Sequence, residues 1–163
     1  MSEIKIFDDF FDKDLHHEIH DRIYTGSWGV SGNTPTKPEI FWHNDDLEND
    51  PYFSEYLFDI IQKKLGQEYT IERVYANGQT AMQCGTPHID DGDLTFLYYA
   101  NKEWMPSWQG HLIFMENDME TSQMVSYKPN RAVLFPGHIW HYADAPSRFF
   151  NGLRISLAYK LWN

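Results

Sequence analysis

The chain has 163 residues, enough for one domain-sized core, and sets 13 Lys+Arg against 24 Asp+Glu for a formal charge of −11. That balance argues against double-stranded nucleic acid and against an anionic membrane surface as partners, because both need a basic patch. With 11 Phe, 10 Tyr and 6 Trp the chain is too rich in large apolar groups for disorder, and its one cysteine, Cys84, cannot close an internal disulfide.

No apolar run approaches the ~18 residues of a membrane span, and the first nine residues lack a basic segment followed by an apolar one. A cytoplasmic, intracellular protein is therefore expected. Residues 3–7 alternate as a short strand. Asp12 then caps a helix on which Leu15, Ile19 and Ile23 recur at i, i+4, i+8. Residues 26–49 are rich in Gly, Asn, Pro and acid and read as a long loop, a lid or an excursion anchored by Trp28, Phe41 and Trp42. A second helix follows: Asp50 caps it, Pro51 opens it, Phe53, Tyr56, Leu57, Ile60 and Ile61 form its apolar stripe, and Gly66 ends it.

Beyond Gly66 the helical period disappears. Residues 69–76, 93–101, 111–115, 131–135 and 152–161 read as strands among at least six, separated by turn signals such as Ala76-Asn77-Gly78, Lys128-Pro129-Asn130 and Phe135-Pro136-Gly137. Helices first and short strands after predict an α+β domain whose strands close into a sandwich or barrel supported by the helices.

Two histidines and one carboxylate on one face of an ion are the ligand set of non-haem Fe(II) oxygenases, and His-x-Asp on a strand presents two of them together. Eight histidines among 24 acids give about one His-x-acid match by chance. There are three. His16 and Glu18 fall on the first helix, where i and i+2 diverge, and His43 and Asp45 fall in the irregular loop. His88 and Asp90, between two strand-like segments, remain. For the distal ligand His141 is preferred, after Trp140 and between strands. His138, three residues earlier, would face the other way in extended chain, and His111 is the weakest of the three candidates. On the last strand Gly152, Arg154, Ser156 and Ala158 share one face, opposite Leu153, Ile155, Leu157 and Tyr159. Arg154 among small residues suits capture of a carboxylate in a cavity, the alternative being an exposed arginine on an edge strand.

Taken in order, these residues resemble the Fe(II)- and 2-oxoglutarate-dependent dioxygenases, in their prolyl-hydroxylase-like branch, over about residues 71–161. His88-Ile89-Asp90 corresponds to the proximal metal motif, His141 to the distal histidine, and Arg154-x-Ser156 to the Arg-x-Ser whose arginine binds the far carboxylate of 2-oxoglutarate. Leu94 to Trp104 is similar to the strand ending in Tyr-Leu-Asn, which places Tyr99 on the same carboxylate. Tyr75 is a looser cosubstrate contact. Departures are Gly110-His111 for Gly-Gly and Ala100 for Leu.

The resemblance implies a double-stranded β-helix (jelly-roll, cupin-like) core with N-terminal supporting helices. It implies one domain over 1–163, with 1–66 as helical support and loop and 67–163 as the jelly-roll core. It further implies Fe(II) as cofactor and 2-oxoglutarate and O2 as cosubstrates. The expected reaction is oxidative decarboxylation of 2-oxoglutarate coupled to hydroxylation of a prolyl or other peptide side chain, or of a small molecule. Trp28, Phe41, Trp42, Trp104 and Trp108 are candidates for the substrate entrance, or for loop anchors. A catalytically inactive cupin-like metal-binding or interaction module is the alternative. A zinc hydrolase fits the ligands but leaves Arg154 unexplained and lacks an obvious general base.

Overall fold

A computed structural model gives the fold and describes residues 4–32 and 40–163. Strand β1 is Lys5–Phe7; Glu3, expected to begin it, lies outside the described residues. Helix α1, Lys13–Tyr24, starts where expected: the Asp12 carboxylate accepts the Leu15 N–H at 2.9 Å, an N-cap contributing about 1 kcal/mol. Leu15, Ile19 and Ile23 form its buried face.

The stretch expected to be a loop contains two strands, β2 (Gly29–Gly32) and β3 (Ile40–Asn44), which pair antiparallel, and a 3₁₀ turn at Leu47–Asn49. Glycine and asparagine obscured them, because these strands are held by sheet pairing more than by their own propensity. Residues 33–39, the rest of the suggested lid, lie outside the described residues. The second helix opens with a π-helical segment, Tyr52–Leu57, and continues as α2, Phe58–Leu65, ending at Gly66 in the left-handed region with φ +71°. Asp50 does serve its start, accepting the Tyr52 N–H at 2.9 Å. The wide i→i+5 turn shifts the helical phase, so Tyr56 is exposed and Phe58 takes the core position expected of it.

Seven more strands follow: β4 (Thr70–Gln79), β5 (Leu94–Tyr99), β6 (Leu112–Met115), β7 (Thr121–Val125), β8 (Ala132–Pro136), β9 (His141–Ala143) and β10 (Arg154–Trp162). They form a large sheet of order β1-β8-β5-β10-β4-β3-β2 and a small one of order β7-β6-β9, antiparallel throughout. This is the jelly-roll, double-stranded β-helix architecture. Asn77-Gly78 is no turn: it lies inside β4, paired with β10 on one side and β3 on the other. A Cβ at Gly78 would come within 2.9 Å of the Leu153 side chain, which would have to shift.

Alternation on β10 explains the layers. Ile155, Leu157, Tyr159 and Leu161 pack toward the helices with Ile19, Ile23, Leu57 and Ile61, while Tyr99, Leu112, Phe114, Val133 and Phe135 fill the space between the sheets. Each fully buried aliphatic side chain there contributes about 1.5–3 kcal/mol. β10 is the central strand, so Arg154 is wholly buried, and the exposed edge-strand alternative for it does not hold. Among the described residues no helix is long and apolar enough to cross a membrane.

A buried histidine bridges the first helix and the large sheet. His16 is 4% exposed, bonded through Nδ1 to the Tyr98 hydroxyl and through Nε2 to the Asn101 carbonyl at 3.1 Å. Burial lowers its pKa from 6.5 to about 4, outweighing the bond to Asn101. The unfolded chain therefore binds one proton more than the folded chain between those values. This contribution, up to about 3 kcal/mol, is complete above pH 6.5 and is lost as pH falls toward 4. Between pH 7 and 5 thermal unfolding should drop by roughly 4–8 °C from this group. His16→Gln should flatten that slope; an unchanged slope would remove His16 as its source.

Candidate active site

The segment 82–90, between β4 and β5, runs beside β9 as an irregular fourth member of the small sheet. Gly85 N–H bonds Ala143 O at 2.9 Å, and His88 and His141 exchange both backbone bonds at 3.0 Å. That exchange sets the two imidazoles side by side, ring centroids 4.5 Å apart and planes tilted by 53°. Asp90, two residues on, turns to the same side: Oδ1 is 3.4 Å from His88 Nε2 and Oδ2 is 3.2 Å from His141 Nε2. Each imidazole donates its Nδ1–H to a backbone carbonyl at 2.8 Å, His88 to Thr86 and His141 to Ile139. These bonds orient both rings and aim their Nε2 atoms at the Asp90 carboxylate, where they would serve as lone-pair donors to an ion.

One ligand atom from each of the three residues lies within 4.8 Å of the others, a group able to hold a metal ion. Burial works against charge on Asp90, but the bonds from His141 and His88 and the Lys160 ammonium hold its carboxyl far below the usual range. For His88, burial pulls the pKa down, yet Asp90 and the Thr86 carbonyl raise it overall.

The other two histidine–acid pairs stay apart from this group. His16 is in the helix layer, as described. His43 lies on β3, a strand the sequence reading did not expect there, opposite Asn77 in register, and Asp45 is exposed beyond the strand end. His138 is exposed in the turn after β8. His111 accepts the Tyr127 N–H at its Nδ1, 3.3 Å away, and burial lowers its pKa.

Arg154 sits at the other end of the same inter-sheet space. Its Nε donates to Gly110 O at 2.7 Å and its Nη1 to Gln79 Oε1 at 2.9 Å. Its guanidinium lies 4.9 Å from the Tyr127 ring centroid and 5.6 Å from that of Tyr99. Nη2 and the Tyr99 hydroxyl are buried with no hydrogen-bond partner among the described residues. Burial pushes the Tyr99 phenol up to about 12, so it remains a donor. Ser156 adjoins on β10, opposite Tyr99 in register and 4% exposed. Tyr75, opposite Ala158, is half-buried, with the Arg73 guanidinium 4.5 Å above its ring and Lys160 Nζ at 5.5 Å.

The supports of Arg154 were not legible in the sequence. Gln79 is held by its Nε2 bond to Gln83 O at 2.8 Å, which aims Oε1 at the guanidinium. Asn101 ties the cradle together, bonding Ile155 N at 2.7 Å and Leu153 O at 2.9 Å and meeting the Tyr127 hydroxyl at 2.5 Å. Gly110 has φ +73°, and a Cβ there would be 3.0 Å from Arg154 Cδ. Gly110→Ala should therefore destabilise by about 1–3 kcal/mol and displace the guanidinium, read as lower 2-oxoglutarate affinity; wild-type affinity would show that the cradle tolerates the change.

The aromatic residues divide. Trp104 packs against Tyr127 and Phe150, and Trp108 against Phe150, all at tilted ring angles behind the Arg154 cradle, so both are packing residues. Trp28 packs on the helix-side core, its Nε1 donating to Tyr24 O at 3.2 Å. Phe41 shares the inter-sheet face of β3 with His43, their ring centroids 4.6 Å apart, while alternation turns Trp42 away.

A family model, the 2OG-Fe(II) oxygenase superfamily, matches residues 73–159. The chain belongs to that superfamily, and it is an Fe(II)/2-oxoglutarate-dependent dioxygenase with a prolyl-hydroxylase-like fold. No curated protein matches it. Among solved structures it is similar to a prolyl-4-hydroxylase of Pseudomonas putida, with TM-score 0.66 and 14% identity over 98% of this chain and 93% of that one. It is similar also to a prolyl hydroxylase of Trichoplax adhaerens, solved with a peptide fragment, with TM-score 0.68 and 14% identity over 99% and 84%. HygX of Streptomyces hygroscopicus, solved with nickel and 2-oxoglutarate, gives TM-score 0.73 and 11% identity over 97% and 82%. At such identities these likenesses concern the fold.

The residues present suit the cofactor and cosubstrate of the superfamily. The donor set is two imidazole nitrogens and a carboxylate. Two orphaned donors, Arg154 Nη2 and Tyr99 Oη, lack the anionic acceptor that a dicarboxylate provides.

Proposed function

We propose that His88, Asp90 and His141 hold the Fe(II), that Arg154, Tyr99 and Ser156 receive the far carboxylate of 2-oxoglutarate, with Tyr75 as a further cosubstrate contact, and that the enzyme hydroxylates a peptide side chain, prolyl or other. The observation that carries the cosubstrate assignment is the pair of buried, unpartnered donors on Arg154 and Tyr99. When bound, the iron supplies O2 activation: one oxygen atom is incorporated into succinate as CO2 leaves, and the other goes to the substrate.

The chain's own part is placement. Arg154, itself held by Gly110 and Gln79, orients the carboxylate. Tyr99 donates a neutral hydrogen bond to it, and the two Nδ1 bonds keep the imidazoles aimed at the ion. The dicarboxylate is thus drawn by local charge, against a net −11. The peptide assignment draws on the neighbours, two of them prolyl hydroxylases and one holding a peptide; HygX, solved also with hygromycin B, marks a small molecule as the other class to test.

The same reading takes 1–163 as one oxygenase domain acting inside the cell, where iron stays ferrous, on a partner other than double-stranded nucleic acid. It draws on β1, β2 and β3 joining the large sheet and on the acidic charge. The test is conversion of 2-oxoglutarate to succinate with Fe(II), run with peptide and small-molecule panels and followed by a 16-dalton gain on the product. Turnover with a peptide supports the proposal. Absence of both turnover and 2-oxoglutarate affinity would leave the inactive module.

A further inference from the structure

Lys160 is 2% exposed, and its Nζ forms an ion pair with Asp90 Oδ2 and a hydrogen bond with Thr95 Oγ1 at 3.2 Å. Thr95 Oγ1 donates to the same Asp90 oxygen at 2.7 Å. Oδ2, 3.2 Å from His141 Nε2, is therefore already engaged by two donors from β10 and β5, while Oδ1, 3.4 Å from His88 Nε2, has neither of them. A buried lysine is costly to desolvate, and one lying a carboxylate away from a dication repels it. Neither cosubstrate capture nor ligation explains a cation at that position.

We propose that Lys160 is a positioning residue for the metal centre: with Thr95 it keeps Oδ2 of Asp90 off the ion, so that Asp90 binds through Oδ1 alone. The inference deepens the metal assignment above and depends on Asp90 being a ligand. Held by two imidazole nitrogens and one carboxylate oxygen, the ion would keep its remaining positions for the cosubstrates, and a second oxygen from Asp90 would take one of them. The lysine charge also offsets the carboxylate and makes the ion easier to lose, so the open position comes with weaker metal binding.

The test is a Co(II) titration of the full chain without oxygen, reading visible d–d absorption and affinity by chelator competition, for the wild type, Lys160→Met and Thr95→Val. Lys160→Met should bind Co(II) at least tenfold tighter, within the 10–100-fold range typical of changes beside metal ligands. Its absorption should differ from wild type, and added 2-oxoglutarate should perturb it less, because the second Asp90 oxygen is then free to coordinate. Thr95→Val should shift the spectrum in the same direction by less, and it decides the matter if Lys160→Met does not fold.

Wild-type spectrum and affinity in Lys160→Met, or weaker binding, would overturn the proposal. Failure of the metal assignment has a separate signature. Asp90→Ala would then bind Co(II) as the wild type does, whatever Lys160→Met shows.

Discussion

Asp90→Ala should lose iron-dependent conversion of 2-oxoglutarate and also lose stability. The sequence alone suggests that this change empties the metal site and leaves the fold intact. The structure adds Lys160, 2% exposed and ion-paired to Asp90. Removing the carboxylate strands a buried ammonium beside the Thr95 hydroxyl and the Tyr75 ring with no counter-charge on either, and breaking a buried pair from one side costs about 3–5 kcal/mol. For a chain of this length that lowers the unfolding temperature by roughly 6–20 °C.

The double change Asp90→Ala/Lys160→Met removes the stranded charge as well, and should recover most of the stability and none of the turnover. Circular dichroism melts and succinate formation, measured side by side, separate the two effects. Turnover surviving in Asp90→Ala would refute the ligand assignment. An unshifted melt would show that the ion pair does not stabilise the fold.

Arg154→Met should raise the dissociation constant for 2-oxoglutarate from about thirtyfold to a few thousandfold, the 2–5 kcal/mol typical of truncating one side of a buried charged contact. Two of its donors are already used, on Gly110 O and Gln79 Oε1, and Nη2 is left for the ligand. Arg154→Lys keeps a charge but cannot hold both supports while presenting a further donor, so it should recover only part of the affinity. Co(II) affinity should be unchanged in both variants. Calorimetry of 2-oxoglutarate binding to the Co(II) protein reads this directly, and wild-type affinity in Arg154→Met would sink the cosubstrate role.

What could be read from the chain and what could not follows the range of the interactions. The Asp12 cap and the Leu15, Ile19, Ile23 face are short-range patterns, and so is the side on which Arg154 and Ser156 sit. Each is legible because helix and strand geometry repeat every few residues. The second helix was legible in place but not in phase, since a π turn cannot be read from apolar spacing and it exchanged Tyr56 for Phe58. Strands β2 and β3 were missed because pairing with β4, more than composition, holds them extended. Lys160 lies on the very face that carries Arg154 and Ser156, and extending that alternation two residues beyond Ala158 would have flagged it. Its partner, however, lies 70 positions away.

His88-x-Asp90, a histidine past Pro136-Gly137, and an arginine on a strand face lined by small residues were legible as candidates, because ligand type and i, i+2 spacing are properties of the chain in one dimension, and the family resemblance of their order named the chemistry. Which histidine is brought to the pair depended on register: His141 exchanges backbone bonds with His88, and that places its imidazole beside Asp90 while His138 stays in the exposed turn. The Arg154 cradle and the Lys160–Asp90 pair likewise exist only where β4, β5, β10 and the segment 82–90 meet. The free energy of a buried charge is set by the groups that surround it in space, and those groups come from separate strands.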